Sequence, residues 1–272
     1  MLFCYMRIVH FALNAGFDLI SRIGKSVNLF TIKIGSFVIF IYKLLSSLLS
    51  RKFFFKNFLD SMLYIGFCSI PVVTLTGIFT GIVITVQLYY ALLKFGVTDT
   101  IPTIVLVGLL KELGPVLCGL MIVARVGSSM VAEIGGMKIN NQIDALTSLA
   151  VDPFKFLYIP RILATTIAMP LLCTILSIIG IMGSFFIMTM VFNFSPNVYV
   201  EIIINSFDFY DYNIGMIKSV IFGFIISLTA CYNGSNARDG SVGVGYATVK
   251  TVVACCVYVL FFNFLVTVLM VQ

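Results

Sequence analysis

The residues of this chain that could carry chemistry are concentrated between positions 109 and 153, LLKELGPVLCGLMIVARVGSSMVAEIGGMKINNQIDALTSLAVDP. Lys111 and Glu112 are adjacent in an apolar run, and Arg125 follows in the same run. The stretch ends in a polar, glycine-interrupted segment with four further charges: Glu133, Lys138, Asp144 and Asp152. Charge in such apolar surroundings indicates a polar spot inside a membrane or a docking surface just outside it.

Catalytic constellations are poorly supported. His10 is the only histidine, which excludes an intramembrane Ser-His pair and an H-E-x-x-H zinc site. Glu112 is the only acidic residue well inside a predicted span, so a carboxylate pair is missing as well. The segment Gly24-Lys25-Ser26 is not a phosphate-binding loop, because Leu19 occupies the position of its first glycine. None of the seven cysteines forms a C-x-x-C pair. We expect a non-catalytic chain without a metal or cofactor of its own.

The composition is that of a polytopic, all-α membrane protein. Of 272 residues, 60% are hydrophobic and 10% are charged, whereas soluble domains carry about 25% charged residues. Five apolar runs reach the ~20 residues needed to cross a bilayer: 62–92, 101–130, 159–192, 213–232 and 247–271. We predict a polar, aromatic loop over 193–212. Pro115, three residues after Glu112, predicts a broken or re-entrant element in the second span.

The N-terminal region, residues 1–60, is basic and is predicted to be separate from the five-span domain, residues 61–272. Within it, residues 29–50 are apolar but carry one polar stripe at helical spacing: Lys33, Ser36, Lys43, Ser47 and Ser50. A helix with a basic stripe and a broad apolar face lies in the membrane surface. We therefore predict an interfacial helix here, with a sixth span as the alternative.

The distribution of Lys and Arg predicts the orientation. Eight basic residues of the N-terminal region fall on one side together with five from later loops: Lys138, Lys155, Arg161, Arg238 and Lys250. Lys94 lies on the other side, with Lys218 at the edge of the fourth span. Cytoplasmic loops carry the excess of basic residues, so the N-terminus is predicted to be cytoplasmic and the C-terminus periplasmic. Topology thus explains the net charge of +6 without a nucleic-acid partner.

Two further patterns each leave two interpretations open. Gly77 and Gly81 form a small-x-x-x-small pair, which serves helix packing within one subunit or between two. Lys111 and Glu112 would each cost ~2.5–3.5 kcal/mol at the centre of a span. They lie either at a local helix end, with side chains reaching the interface, or on the polar rim of a substrate cavity.

The segment after Arg125 predicts a short amphipathic helix on the membrane surface. Its apolar residues recur at spacings of 4, 3 and 4: Ile139, Ile143, Leu146 and Ala150. The sequence Val151-Asp152-Pro153 should end this helix. Such a helix is either an interfacial anchor or the surface on which a separate motor pushes.

Several spaced motifs resemble one known family. Residues 105–153 contain K-E-L-G-P, A-R-V-G-S-S, A-E-I-G-G-M and A-V-D-P. The first span contains G-I-F-T-G-I-V-I-T-V-Q, the third follows Y-I-P-R-I-L-A, and the C-terminal run contains F-N-F-L-V-T-V-L-M. From about residue 60 onwards the chain resembles the MlaE (YrbE-like) permeases. These are the membrane subunits of ABC systems that move lipids together with MCE-domain proteins.

The resemblance implies a homodimer with an interfacial N-terminal helix, five spans per subunit, and a lipid cavity that opens at the dimer centre towards the non-cytoplasmic side. The residues it assigns to that cavity are Gln87, Tyr89, Leu92, Phe95, Lys111 and Glu112. Residues 133–152 match the coupling helix that contacts the cytoplasmic ATPase, through Glu133, Lys138, Ile143, Asp144, Leu146 and Asp152. Two positions depart from the family pattern, Lys111 in place of a frequent Arg and Phe95 in place of an aromatic hydroxyl.

Together, these features predict the permease subunit of an ATP-driven ABC transporter in a bacterial inner membrane. It would move phospholipid or a related lipid between that membrane and an MCE-domain partner, with ATP bound and hydrolysed by a separate chain. The alternative is a passive membrane scaffold or channel subunit, and an intramembrane enzyme is the third interpretation.

Overall fold

The computed structural model describes residue 28 and residues 31–32, 34–48, 54–238 and 240–270. The chain divides into two units, Met1–Arg51 and Lys52–Gln272. In the first unit, the helix Ile34–Leu48 is shorter than the five long helices of the second and shorter than the ~20 residues of a span. Its position in the interface stays a prediction. Lys33 and Ser50 of the predicted stripe lie outside the described residues.

Eight helices are described, numbered in chain order: α1 (Ile34–Leu48), α2 (Phe55–Leu93), α3 (Thr98–Ile139), α4 (Gln142–Ser148), α5 (Phe154–Met190), α6 (Pro196–Ser206), α7 (Phe209–Ser235) and α8 (Gly240–Met270). Five of them, α2, α3, α5, α7 and α8, are long and apolar enough to cross a membrane. The prediction of an all-α protein with five spans is confirmed.

Helix α6 corrects the prediction of a loop over 193–212. Ser195 has extended backbone dihedrals and Pro196 occupies the first turn, an arrangement that starts a helix because proline has no N–H to leave unpaired there. The Tyr199 side chain is only 2% exposed, and its hydroxyl donates to Ser184 Oγ of α5 at 3.0 Å. The prediction was wrong because one buried tyrosine and a proline start outweigh the polar residues around them.

Helices α2 and α5 make backbone contact at their glycines. A Cβ atom on Gly81 would lie 1.9 Å from the Gly180 carbonyl oxygen, and one on Gly77 would lie 2.8 Å from the Leu176 carbonyl oxygen. Gly183 approaches the Ile78 carbonyl in the same way, at 2.8 Å. Of the two interpretations of the Gly77-Gly81 pair, packing within the subunit is therefore the one that the structure shows.

Helix α3 is continuous through Pro115. A π-helical turn, Leu109–Leu113, precedes the proline, and the Gly114 N–H reaches back to the Leu109 carbonyl. The extra residue of this turn lets the chain pass a position that cannot donate an i→i−4 hydrogen bond. The predicted broken or re-entrant element is wrong for this reason.

The five long helices enclose one main apolar cluster. It includes Ile122 of α3, Met169 of α5, Phe222 of α7 and Val259 of α8, each at most 1% exposed. Four cysteines are also buried: Cys118, Cys173, Cys231 and Cys255. The helices converge around this cluster, and the polar groups described next lie where α7 and α8 pack on the π-helical turn of α3.

Candidate functional site

Six polar residues from three helices meet inside the bundle and are called the charged cluster: Lys111 and Glu112 of α3, Asp211 and Lys218 of α7, and Asn263 and Thr267 of α8. Lys218 is fully buried, with 0% exposure, and the Glu112 side chain is 37% exposed. The position assigned to Lys218 at the edge of a span is thus corrected to the interior of the bundle.

Lys218 and Glu112 form the centre of the charged cluster. The Lys218 ammonium donates to Glu112 Oε1 at 2.7 Å and to Thr267 Oγ1 at 2.8 Å. Thr267 donates to Glu112 Oε1 at 3.0 Å, and Asn263 Nδ2 donates to Glu112 Oε2 at 3.2 Å. Both carboxylate oxygens are therefore hydrogen-bonded, as a charge inside a membrane protein requires.

The K-E-L-G-P motif creates the third contact of Lys218. Pro115 has no N–H, so it cannot pair with the Lys111 carbonyl four residues earlier. That carbonyl accepts a hydrogen bond from Lys218 Nζ at 3.0 Å. Helix α7 can come this close because of Gly215, where a Cβ atom would lie 2.1 Å from the Leu110 carbonyl oxygen. The proline and the glycine together place the ammonium against α3.

Lys111 has a separate partner. Its Nζ lies 2.9 Å from Asp211 Oδ1, with side chains 25% and 17% exposed. Asp211 and Lys218 are two helical turns apart on α7, so one face of that helix neutralises two adjacent charges of α3 that point in different directions. The cost expected for two unpaired charges is therefore offset by interhelical pairs.

The other residues assigned to a lipid cavity lie at the end of α2 and just after it. Gln87 is exposed, and Leu92 packs against an apolar cluster around Leu109. The Tyr89 ring stacks on Phe192 with centroids 3.6 Å apart, and Phe95 is 77% exposed. The structure brings Tyr89 and Leu92 to one apolar cluster and gives Lys111 and Glu112 their partners on α7 and α8. A cavity shared by all six stays a prediction.

The segment predicted as one coupling helix consists of two parts. Helix α3 runs on past Glu133 and Lys138 to Ile139, and α4 begins only after Asn141, whose φ of 54° breaks the helix. Ala150 follows α4 with a φ of 58°. A single amphipathic helix through Ile139 and Ala150 is therefore wrong, because two left-handed residues limit the helix to Gln142–Ser148.

One ionic contact ties α4 to α3, and another ties α3 to α5. Lys138 Nζ lies 3.1 Å from Asp144 Oδ1, which joins α3 to α4. Glu133 accepts from Arg161 at 2.6 Å, which joins α3 to α5. Asp152 Oδ1 accepts from the Phe154 N–H at 2.9 Å, at the start of α5.

The apolar residues of the α4 segment differ in exposure. Ile143 is 8% exposed and anchors α4, Leu146 is half-buried, and Leu149 is 73% exposed at its tip. Ile143 therefore holds the α4 segment against the bundle, and Leu149 is presented outwards.

Several functional candidates were missed from the sequence: Asp211, Lys218, Asn263, Thr267, Leu149 and Arg161. A signal existed for three of them. Lys218 is the only charged residue in the run 213–232, and Asn263 and Thr267 are spaced to share one face of a helix in an apolar run. Polar residues inside a span face the bundle interior, so a search for partners of Glu112 would have started there.

A comparison with known families decides what this bundle is. The family model described as Permease MlaE matches residues 58–269, which includes α3, α5 and α7 in full and nearly all of α2 and α8. The chain belongs to the MlaE permease family. It is accordingly a membrane protein and an ABC transporter permease of the MlaE type.

Relatives of this MlaE permease extend over nearly the whole chain. A probable ABC transporter permease protein of Rickettsia typhi is 37% identical over 92% of this chain and 96% of its own length. The intermembrane phospholipid transport system permease protein MlaE of Haemophilus influenzae is 32% identical over 93% and 97%. The chloroplastic protein TRIGALACTOSYLDIACYLGLYCEROL 1 of Arabidopsis thaliana is 30% identical over 81% of this chain and 63% of its own.

Proposed function

We propose that this chain is the permease subunit of an ATP-driven transporter that moves phospholipid or a related lipid between a bacterial inner membrane and an MCE-domain partner. The membership of the MlaE permease family over residues 58–269 carries the proposal, and the name of the Haemophilus relative supplies the substrate class. Two copies of the chain form the permease, and a separate ABC ATPase chain binds and hydrolyses ATP.

The orientation follows from the basic residues at one end of the bundle. Lys138, Lys155 and Arg161 lie at the end of the bundle that carries α4, and Arg238 and Lys250 lie in and after the α7–α8 connection. Basic loops stay on the cytoplasmic side. The α4 end and the N-terminus are therefore cytoplasmic in this proposal, the C-terminus is periplasmic, and the charged cluster belongs to the periplasmic half.

Coupling to the ATPase depends on α4. A motor that pushes on the exposed Leu149 tip acts on a helix tied to α3 through Lys138–Asp144. The Glu133–Arg161 pair then links α3 to α5. Movement of α4 is thus transmitted to two spans rather than absorbed by a loose loop, since packed helices move as rigid bodies.

The lipid headgroup would be recognised on the periplasmic half. Glu112 is partly exposed although it is hydrogen-bonded on both oxygens. Asn263 Oδ1 is buried without a hydrogen-bond partner in the described part of the chain, which offers an acceptor to a donor group of a ligand. Gln87, Tyr89, Leu92 and Phe95 supply the largely apolar remainder of the proposed cavity.

Proline at position 147 tests the coupling surface. Thr147 is exposed in the last turn of α4, where proline removes a helical hydrogen bond and clashes with the preceding turn. We expect Thr147→Pro to abolish co-purification of the ATPase chain. Thr147→Ala keeps the helix and should bind as wild type does. Wild-type binding by the proline variant would refute the coupling role of α4.

Co-purified lipid tests the cavity. The double variant Gln87→Leu, Glu112→Gln removes a charge and an amide but keeps the size of both side chains. We expect it to retain several-fold less phospholipid, by mass spectrometry of the purified complex. Met182→Leu, at a position 64% exposed on α5, is the control. Retention equal to the control would argue against the cavity assignment.

The passive-scaffold alternative has its own test. Lipid transfer that proceeds at the same rate without ATP would support that alternative.

A further inference from the structure

A cavity lies at the α4 end of the bundle, between α2, α3 and α5. Its volume is about 650 Å³, within the range of small-molecule sites. None of the residues assigned to the periplasmic lipid cavity lines it. Its polar lining includes Asp60, Ser129, Glu133 and Arg161, and its apolar lining includes Phe156 and Met137. We call this space the α4-end cavity.

Arg161, which lines the α4-end cavity, has a buried nitrogen that donates to none of the described residues. Its Nη2 donates to Glu133 at 2.6 Å, and its side chain is only 13% exposed. Its Nη1 is buried without a hydrogen-bond partner among the residues that the structure describes. Buried guanidinium N–H groups are normally paired, because an unpaired one loses its hydration without compensation. An oxygen acceptor inside the cavity would supply the missing hydrogen bond of Arg161 Nη1.

In the part of the chain that the structure describes, the charged lining of the α4-end cavity consists of one cation, Arg161, and two anions, Glu133 and Asp60. Arg125 is not part of this lining; its guanidinium lies 5.8 Å from the ring centroid of Tyr64, which lines the cavity, and it donates to Ser69. A ligand with one charge of each sign can place its anion on the unused Arg161 donor and its cation beside the carboxylates, whereas a simple anion would meet both carboxylates without a cation of its own.

We propose that the α4-end cavity binds the headgroup of a zwitterionic phospholipid, with the phosphate on Arg161 and the ammonium beside Asp60 and Glu133. Arginine binds phosphate oxygens in a bidentate geometry, and Nη1 supplies the unused donor. Met137, Phe156 and Leu157 give the acyl chains an apolar wall. The site is separate from the charged cluster and does not depend on the direction or the energy source of transport.

The absence of tryptophan from the sequence allows a direct test. Phe156→Trp places a single fluorophore in the wall of the α4-end cavity. Phe55→Trp places the fluorophore on α2 at the same end of the bundle, at a residue 61% exposed. There it reports the surrounding bilayer. Both full-length variants are reconstituted in nanodiscs of digalactosyldiacylglycerol, a bilayer lipid without phosphate, with increasing fractions of phosphatidylethanolamine that carries brominated acyl chains, which quench tryptophan.

We expect half-maximal quenching of Phe156→Trp at a mole fraction about tenfold lower than for Phe55→Trp, the ratio that one charge-assisted hydrogen bond supplies. Brominated diacylglycerol, which has no phosphate, should give no such difference. Inorganic phosphate in millimolar excess should leave the quenching unchanged; relief of quenching would show a site for free phosphate and overturn the proposal. Identical curves for the two reporters would overturn it as well.

Two variants separate binding from folding. Arg161→Gln and Glu133→Gln both break the same ion pair, but only the first removes the phosphate donor. In the Phe156→Trp background, Arg161→Gln should abolish the preference. Glu133→Gln should keep a preference for phosphate-bearing lipid and lose discrimination of phosphatidylethanolamine from brominated phosphatidylglycerol. Equal loss in both would show that the ion pair is structural and would refute the proposal. Transport of lipid by the complex is not needed for any of these outcomes.

Discussion

Replacement of Lys218 by methionine is the perturbation that most directly tests the charged cluster. Methionine keeps the length of the apolar stem but removes the ammonium. The change leaves Glu112 without its cation and leaves the Lys111 carbonyl, freed by Pro115, without its donor. The variant is therefore expected to be much less stable than wild type, although it is more hydrophobic.

The magnitude follows from burial. Removing one partner of a fully buried ion pair costs about 3–5 kcal/mol. Lys218 is fully buried, but the Glu112 side chain is 37% exposed, so water partly hydrates the carboxylate that remains. We therefore expect a loss of about 3 kcal/mol, the lower end of that range. Lys111→Met, the matched control, removes a lysine that is 25% exposed, against 0% for Lys218, and should cost less, roughly 1 kcal/mol.

The assay uses the buried cysteines as reporters. Cys118, Cys231 and Cys255 are 0% exposed and Cys173 is 4% exposed, so a thiol-reactive fluorophore labels them only when the bundle opens. Titration of the purified protein with SDS in mixed micelles then gives the free energy of unfolding of each variant. Cys68 is exposed and supplies the baseline of rapid labelling.

A double-mutant cycle decides the cause. In the pair Glu112→Gln, Lys218→Met, no carboxylate is left unpaired, so the double variant should lose less stability than the sum of the single variants by at least about 1 kcal/mol. Additive losses would mean that the two side chains do not interact in the membrane, and the ion pair described for the cluster would be refuted.

Two other predictions use the same unfolding assay. Gly81→Ala should destabilise the protein by about 1–3 kcal/mol, because its methyl group would lie 1.9 Å from the carbonyl oxygen of Gly180. The control is Gly136→Ala, where a Cβ meets nothing within 4 Å; it should be neutral or stabilising by up to about 1 kcal/mol. Equal effects of the two substitutions would refute the close contact at Gly81. Burial raises the pKa of Tyr199 above 10.0, against the opposing effect of its hydrogen bond to Ser184. The folded state then holds this proton more tightly than the unfolded chain, so the contribution of Tyr199 is present below pH ~10 and is lost as the pH rises further. Tyr199→Phe should show a shallower loss of stability above pH ~10 than wild type, and parallel curves would contradict the prediction.

The spans could be predicted from the sequence because apolar length decides them. Hydropathy placed all five, but it ended the second span at residue 130, whereas α3 continues to Ile139. The backbone hydrogen bonds of a helix do not stop where its residues become polar, so hydropathy cannot locate such an end. The left-handed Asn141 stops the helix instead, and asparagine tolerates that conformation.

The partners of the charged residues could not be predicted. Asp211 is 100 positions from Lys111, and Lys218 is 106 positions from Glu112. Local periodicity contains no information about which helices pack together. The K-E-L-G-P motif was identified, but the role of its proline, which exposes a carbonyl to Lys218, requires the position of α7.

The π-helical turns have a consequence for how the surface of this bundle is mapped. The described residues contain three such turns, and each includes a charged side chain: Leu109–Leu113, Val123–Gly127 and Phe154–Tyr158. A π-turn holds one residue more than an α-turn and so offsets the following helix by about 100°. A single helical wheel drawn through α3 therefore misplaces its far end by about 200° relative to its start. Residues that such a wheel assigns to the acyl chains at one end face the protein interior at the other. A relative that lacks one residue at either turn could preserve both ends of the helix and differ only in their relative rotation.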